Sequence, residues 1–129
     1  MDTRNKIIDP GHAAAMVHQL RRDRAKLRIV TGYFDVLLAG HVRRLCEIAG
    51  GAGKLFVAVL DPPHPVLAAR ARAELVAALA VVDYVVPADK EAALELLSHF
   101  TAGEIVQEES ADLERARQLT EHVQRRHQQ

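Results

Sequence analysis

Apolar positions recur along this chain in two rhythms: helical spacing and short unbroken runs. Ala13, Met16, Val17 and Leu20 share one helical face behind the turn or cap Asp9-Pro10-Gly11. Leu27-Arg28-Ile29-Val30 is a short apolar run and predicts a strand near 28–31. A helical pattern opens at His41, buries Val42, Leu45, Ile48 and Ala49, and stops at Gly50-Gly51. Residues 54–60 form a nearly continuous apolar run, as expected of a strand covered on both faces. Asp61-Pro62-Pro63-His64-Pro65 must be loop, because its prolines lack backbone donors. Val66 to Ala80 is alanine-rich and predicts a helix, and 83–86 predicts a strand ended by Pro87. Asp89 caps a helix running to about Phe100, with Ala92, Leu94, Leu96 and Leu97 as its apolar positions. A short strand is expected at 104–107 and a charged final helix from Ala111 to about His127.

Strands alternating with helices imply a parallel sheet with right-handed crossovers. The fold class is therefore α/β: a three-layer, Rossmann-like parallel sheet with helices on both faces. The 129 residues suffice for one domain, expected to span 1–129, with no internal repeat and no linker. Lysine plus arginine equals aspartate plus glutamate at 17 each, so charge gives no reason to expect nucleic acid as a partner. There is no apolar run of about 18 residues and no signal-peptide pattern, which leads to the expectation of a cytoplasmic protein without membrane partners. Cys46 is the only cysteine, so an internal disulfide and a thiolate zinc site are excluded. Its place beside Leu45 suggests a small core or interface residue.

Several local patterns could carry chemistry. The basic run Arg21, Arg22, Arg24, Lys26 and Arg28 reads as a solvated helix end, where cations favour the dipole, or as a surface for an anionic partner. Gly51-Ala52-Gly53-Lys54 is not a phosphate loop: Ile48 stands where a glycine is required, and Leu55 where Ser or Thr is required. His122 and His127 are five apart, a spacing that does not share a helix face, so metal binding is not expected. The stretch from Thr31 to His41 is different. It follows a strand, carries Gly32 and Asp35, and sets Gly40-His41 at a helix start. The free N–H groups of a helix N-terminus attract anions, and a histidine there can bond a phosphate oxygen. Ligands in open parallel sheets bind at the carboxyl ends of strands, where this stretch falls.

The stretch resembles the nucleotidyltransferases that carry the HxGH signature, in their cytidylyltransferase-like branch. That branch includes glycerol-3-phosphate cytidylyltransferase and the adenylyltransferase domain of ADP-heptose synthesis. Its members read roughly G-x-F-D-x-x-H-x-G-H after the first strand. Gly32, Phe34, Asp35, Gly40 and His41 match, and Leu38 stands at the first histidine. The likeness extends through Lys54-Leu55-Phe56-Val57-Ala58-Val59-Leu60-Asp61, through Arg72-Ala73-Glu74-Leu75 and on to Asp83-Tyr84-Val85-Val86, covering about residues 6 to 107. It implies nucleotide contacts at Gly32, Tyr33, Phe34, Asp35, Gly40 and His41, with His41 as the catalytic histidine. Asp61, His64 and Arg72 are further candidates for substrate or charge contacts, Arg72 also reading as part of a solvated helix face. The resemblance further implies CTP or ATP with Mg2+, a sugar or polyol phosphate as acceptor, and a homodimer; no protein-held metal is expected.

The departures from that pattern bear on catalysis. Leucine cannot donate a hydrogen bond, and losing one transition-state donor commonly costs ~3–4 kcal/mol. The lysine-bearing segment that the family carries after its second strand is missing beyond Asp61. Glu108-Glu109-Ser110 stands where the family has a Ser/Thr-rich helix start. The sequence therefore supports a nucleotidyltransferase-family domain with catalysis weakened or lost. The alternative is a pseudoenzyme acting as a nucleotide-sensing or dimeric interaction module.

Overall fold

Asp9 starts the first helix: its side chain accepts from the His12 amide at 2.7 Å, and Pro10 supplies a first residue that needs no donor. The computed structural model, which describes residues 2–51 and 53–127, continues this helix as α1, Pro10–Arg22. There follow β1 (Leu27–Gly32), α2 (Ala39–Ala49), β2 (Lys54–Val59), α3 (Ala69–Ala77), β3 (Tyr84–Pro87), α4 (Lys90–Leu97), β4 (Ile105–Gln107) and α5 (Glu109–His127). α2 ends where Gly50 turns left-handed at φ 58°, a conformation that costs glycine nothing.

The 4-stranded sheet has the order β3-β2-β1-β4. All three pairings are parallel, with Val30 opposite both Val57 and Val106, and Val57 opposite Val85. Both faces are covered, which is why the β1 and β2 segments read as continuous apolar runs. On one face Val30, Leu55, Val57 and Val85 pack with Leu45 and Ile48 of α2 and Val76 of α3. On the other, Leu27, Ile29, Phe56 and Ala58 pack with Val17 of α1 and Leu96 of α4. Phe56 is fully buried and stacks on Tyr84, ring centroids 4.8 Å apart. Burying a side chain of that size contributes roughly 1.5–3 kcal/mol. The expected three-layer α/β architecture is therefore the one observed.

Four details depart from the sequence reading. α3 is shorter than 66–80, because the amides of Val66 and Leu67 donate to Asp35 at 2.7 and 2.8 Å instead of entering a helix. Pro87 lies within β3 rather than ending it. That strand is at the sheet edge, where a missing donor is tolerated. Asp83 falls just outside the strand expected at 83–86 and accepts from the Leu55 amide at 2.8 Å, the turn-fixing role that its place before a strand suggests. Cys46 is exposed, not a core residue, because it faces away from the packed Leu45–Ile48 side of α2.

Candidate functional site

β1 is central in the sheet, and its carboxyl end delivers Thr31 and Gly32 into the loop that leads to α2. That loop is unusual. Phe34 has φ 49° and Val36 φ 78°, positive values that a β-branched residue rarely adopts. Such a conformation costs on the order of 1–3 kcal/mol and persists only when its surroundings hold it. Here Phe34 is buried in the core under α2 and α3, and the Asp35 carboxylate takes the Val66 and Leu67 amides. The expected nucleotide-contact residues thus have structural partners: Phe34 is a core side chain, and Asp35 ties the proline loop to the β1 loop.

α2 begins at Leu38, an N-cap whose side chain offers no oxygen. His41 fills part of that role, its Nδ1 accepting from the Leu38 amide at 2.9 Å. The amide can only donate, so Nδ1 carries the lone pair and Nε2 the hydrogen. Nε2 lies 2.7 Å from Asp112 Oδ1. His41 is 4% and Asp112 3% exposed at the side chain, so this is a buried pair. The second Asp112 oxygen accepts from the Tyr33 amide at 2.7 Å, and Arg115 Nη1 donates to Oδ1 at 3.2 Å.

The motif glycines face the same helix. A Cβ on Gly32 would lie 2.5 Å from Asp112 Oδ2 and 2.8 Å from Phe34 Cε2. A Cβ on Gly40 would meet Arg115 Nε at 3.4 Å. Glu108 anchors the start of α5, its amide donating to the Thr31 carbonyl at 2.8 Å and its carboxylate accepting from Arg44 Nε at 2.5 Å. That bond raises the Arg44 pKa further above its ordinary value.

Arg72 corrects the solvated-face reading. It is 1% exposed, and its guanidinium is a buried clamp. Nη1 donates to the carbonyls of Leu60 and Tyr33 at 2.6 and 3.2 Å, Nε to that of Leu67 at 3.1 Å, and Nη2 to Asp61 Oδ1 at 2.5 Å. It thereby joins the β1 loop, the end of β2 and the proline loop. The helical spacing of α3 could not reveal this, because what Arg72 touches comes from three other segments.

A cavity of about 280 Å³ lies beside this cluster. Tyr33, Leu38, His41, His64 and Asp112 line it, with Leu113 and Leu119 of α5 closing one side. Asp61 lines a neighbouring cavity of about 360 Å³ with Thr31, Lys90 and Glu109. Gly32 and Phe34 line neither. Among the described residues, no lysine or arginine lines the His41 cavity. Nor do any three of His, Cys, Asp and Glu among them form a group that could hold a metal ion. The side chains of His122 and His127, and Ala52 of the glycine-lysine turn, lie outside the described residues. No described helix is long and apolar enough to cross a membrane.

No protein-family model matches the chain. It is similar to proteins named bifunctional protein HldE. That of Paramagnetospirillum magneticum is 33% identical over 101 residues, covering 71% of this chain and 21% of the relative. That of Caulobacter vibrioides is 32% identical over 104 residues, 74% of this chain and 22% of the relative. The chain is related to the cytidylyltransferase-like nucleotidyltransferases. The HldE protein of Syntrophotalea carbinolica is 36% identical over 92 residues, 63% of this chain and 19% of the relative. The chain thus spans about a fifth of the length of the curated relatives it matches. It is a nucleotidyltransferase-like domain.

The sequence points to the β1 loop and His41 but not to Asp112 or Arg115, nor to the contacts that Glu108 makes with Thr31 and Arg44. The Glu108-Glu109-Ser110 stretch was the available signal, since it announced acid at the start of α5. Helical periodicity places Asp112 one turn further on without saying that it reaches β1.

Proposed function

We propose that this domain binds the phosphates of a nucleoside triphosphate at the β1 loop and the start of α2, with little or no transferase activity of its own. What supports the reading is one juxtaposition: the Tyr33 amide and His41 Nε2 converge on a single anion beside a cavity at the carboxyl end of the central strand. A loop amide and an imidazole nitrogen so placed suit a pair of phosphate oxygens.

In nucleotidyl transfer an oxygen of the acceptor phosphate attacks the α-phosphorus, a new P–O bond forms, and the bond to the bridging oxygen of the leaving pyrophosphate breaks. The protein positions the reactants and neutralises the growing charge. His41 would donate to a phosphate oxygen, and the Tyr33 amide would hold a second. Leu38, at the N-cap of α2, contributes no donor. Among the described residues no lysine or arginine lines the His41 cavity itself, and the nearby Arg115 guanidinium is bonded to Asp112. Mg2+ would arrive on the triphosphate, because Asp35 is engaged by two backbone amides and Asp112 by the Tyr33 amide, Arg115 and the contact with His41. The acceptor class that the resemblance suggests is a sugar or polyol phosphate.

The weak catalytic endowment favours a second reading of the same domain, a nucleotide-sensing or dimeric interaction module. A homodimer is proposed on the exposed apolar side chains Val66, Leu94, Leu113 and Leu119. Sedimentation of a clean monomer at tens of micromolar would remove it.

The deciding experiment is calorimetry with CTP or ATP and Mg2+, followed by a pyrophosphate-release assay with glycerol phosphate or a heptose phosphate. Binding without turnover is expected. Robust pyrophosphate release by the purified chain would overturn the claim of weakened catalysis, and absence of binding would overturn the function.

A further inference from the structure

Both groups offered to phosphate, the Tyr33 amide and His41 Nε2, meet one helix, α5. We propose that the Asp112 carboxylate is an internal occupant of the phosphate position, so that α5 holds the site closed and a nucleotide phosphate binds only by displacing its first turn. This rests on the reading of the β1 loop and His41 as a phosphate site.

Geometry carries the proposal. Oδ2 of the carboxylate accepts from the Tyr33 amide and Oδ1 lies against His41 Nε2, each at 2.7 Å. Two oxygens of a phosphate would take the same pair. Gly32 lets the carboxylate approach, because a Cβ there would stand 2.5 Å from Oδ2. Arg115, one turn on, covers the bare backbone of Gly40 and bonds the same carboxylate. Position after position, α5 occupies the space that a nucleotide phosphate would fill.

The helix is built to leave. Among the described residues, α5 contributes no side chain to either hydrophobic core. Leu113 and Leu119 are 46% and 38% exposed. Among the described residues it is held by polar contacts of its first turn and cap: Asp112, Arg115 and the Glu108 bonds to Thr31 and Arg44. Releasing that turn therefore exposes donors without opening the core. Phosphate and carboxylate cannot both occupy the space between the Tyr33 amide and His41 Nε2, and two anions at that distance repel. The apparent affinity for nucleotide is then the intrinsic affinity scaled by the fraction of chains with α5 displaced.

The test uses the full chain and calorimetry with MgATP and MgCTP. Asp112→Asn keeps the side-chain shape and removes the charge, and should bind roughly tenfold or more tightly than the wild type. Glu114→Gln, a charge control on the exposed side of α5, should change affinity by less than about twofold. Equal or weaker binding by Asp112→Asn overturns the proposal. If the wild type binds, and His41→Ala weakens it while Asp112→Asn gains nothing, the phosphate site stands and the internal occupant falls. If neither the wild type nor Asp112→Asn binds, both fall. Hydrogen exchange on the wild type gives a second readout should Asp112→Asn fail to fold. Saturating MgATP or inorganic tripolyphosphate should speed exchange at amides 109–113, and unchanged or slower exchange overturns the proposal.

Discussion

Replacing Arg72 by methionine should destabilise this domain far more than its place on an alanine-rich helix suggests. Methionine keeps most of the aliphatic stem and the helix propensity, so the loss isolates the guanidinium. Three backbone carbonyls, of Tyr33, Leu60 and Leu67, lose their arginine donor, and Asp61 loses its partner. Asp61 is 65% exposed and rehydrates, so it adds little. A part-buried carbonyl left without its donor costs at least about 1 kcal/mol. Three of them, each bonded to a charged donor, give ~3–5 kcal/mol. For a domain of this size that is a drop in Tm of roughly 10–20 °C. Arg72→Lys should recover only part, because one ammonium cannot span acceptors on three segments. Asp61→Asn should stay within about 1 kcal/mol. The assay is urea unfolding followed by circular dichroism, with thermal melts alongside. An Arg72→Met chain within about 1 kcal/mol of wild type would refute the reasoning, and would mean that water replaces the clamp.

Gly32→Ala should cost roughly 1–3 kcal/mol through overpacking against Asp112 and Phe34, and a double-mutant cycle with Asp112→Ala should return part of it; strict additivity would show that the carboxylate is not the obstacle. Leu38→His should restore little pyrophosphate release, since no lysine or arginine among the described residues lines the cavity; a gain of about 100-fold would contradict that. Glu104→Gln should lower stability at neutral pH by about 1 kcal/mol, because Arg21 grips that carboxylate with bonds of 2.7 and 3.2 Å. The same pairing holds the Glu104 pKa below its ordinary 4.5, so its contribution is present above that pH and lost as pH falls through the lowered folded value. Urea midpoints measured across acid pH should therefore converge for wild type and variant, and a gap that widens in acid would reverse the sign.

The order of strands and helices was legible in the chain because each element carries its own pattern. The run Lys54 to Leu60 needs two covered faces, and the spacing of Ala13, Val17 and Leu20 needs one. Caps were legible for the same reason: Asp9 and Asp89 act on amides three residues away, within reach of local sequence. The β1 loop could be found from its residues, since glycine, an acid and a helix-start histidine form a local arrangement. What those side chains do could not. Asp35 reaches 31 residues along the chain to the Val66 amide, and Arg72 reaches 39 back to Tyr33. Asp112 meets a backbone amide 79 residues earlier. Such partners depend on parallel crossovers that bring distant strand ends together, and residue spacing along one element holds no record of them. Sequence alone determined the loop after the first strand, with its glycine, its acid and the histidine at the start of the next helix. Only the tertiary structure decided that a carboxylate from the last helix lies against it, because a buried anion goes where converging N–H donors and a missing Cβ leave room.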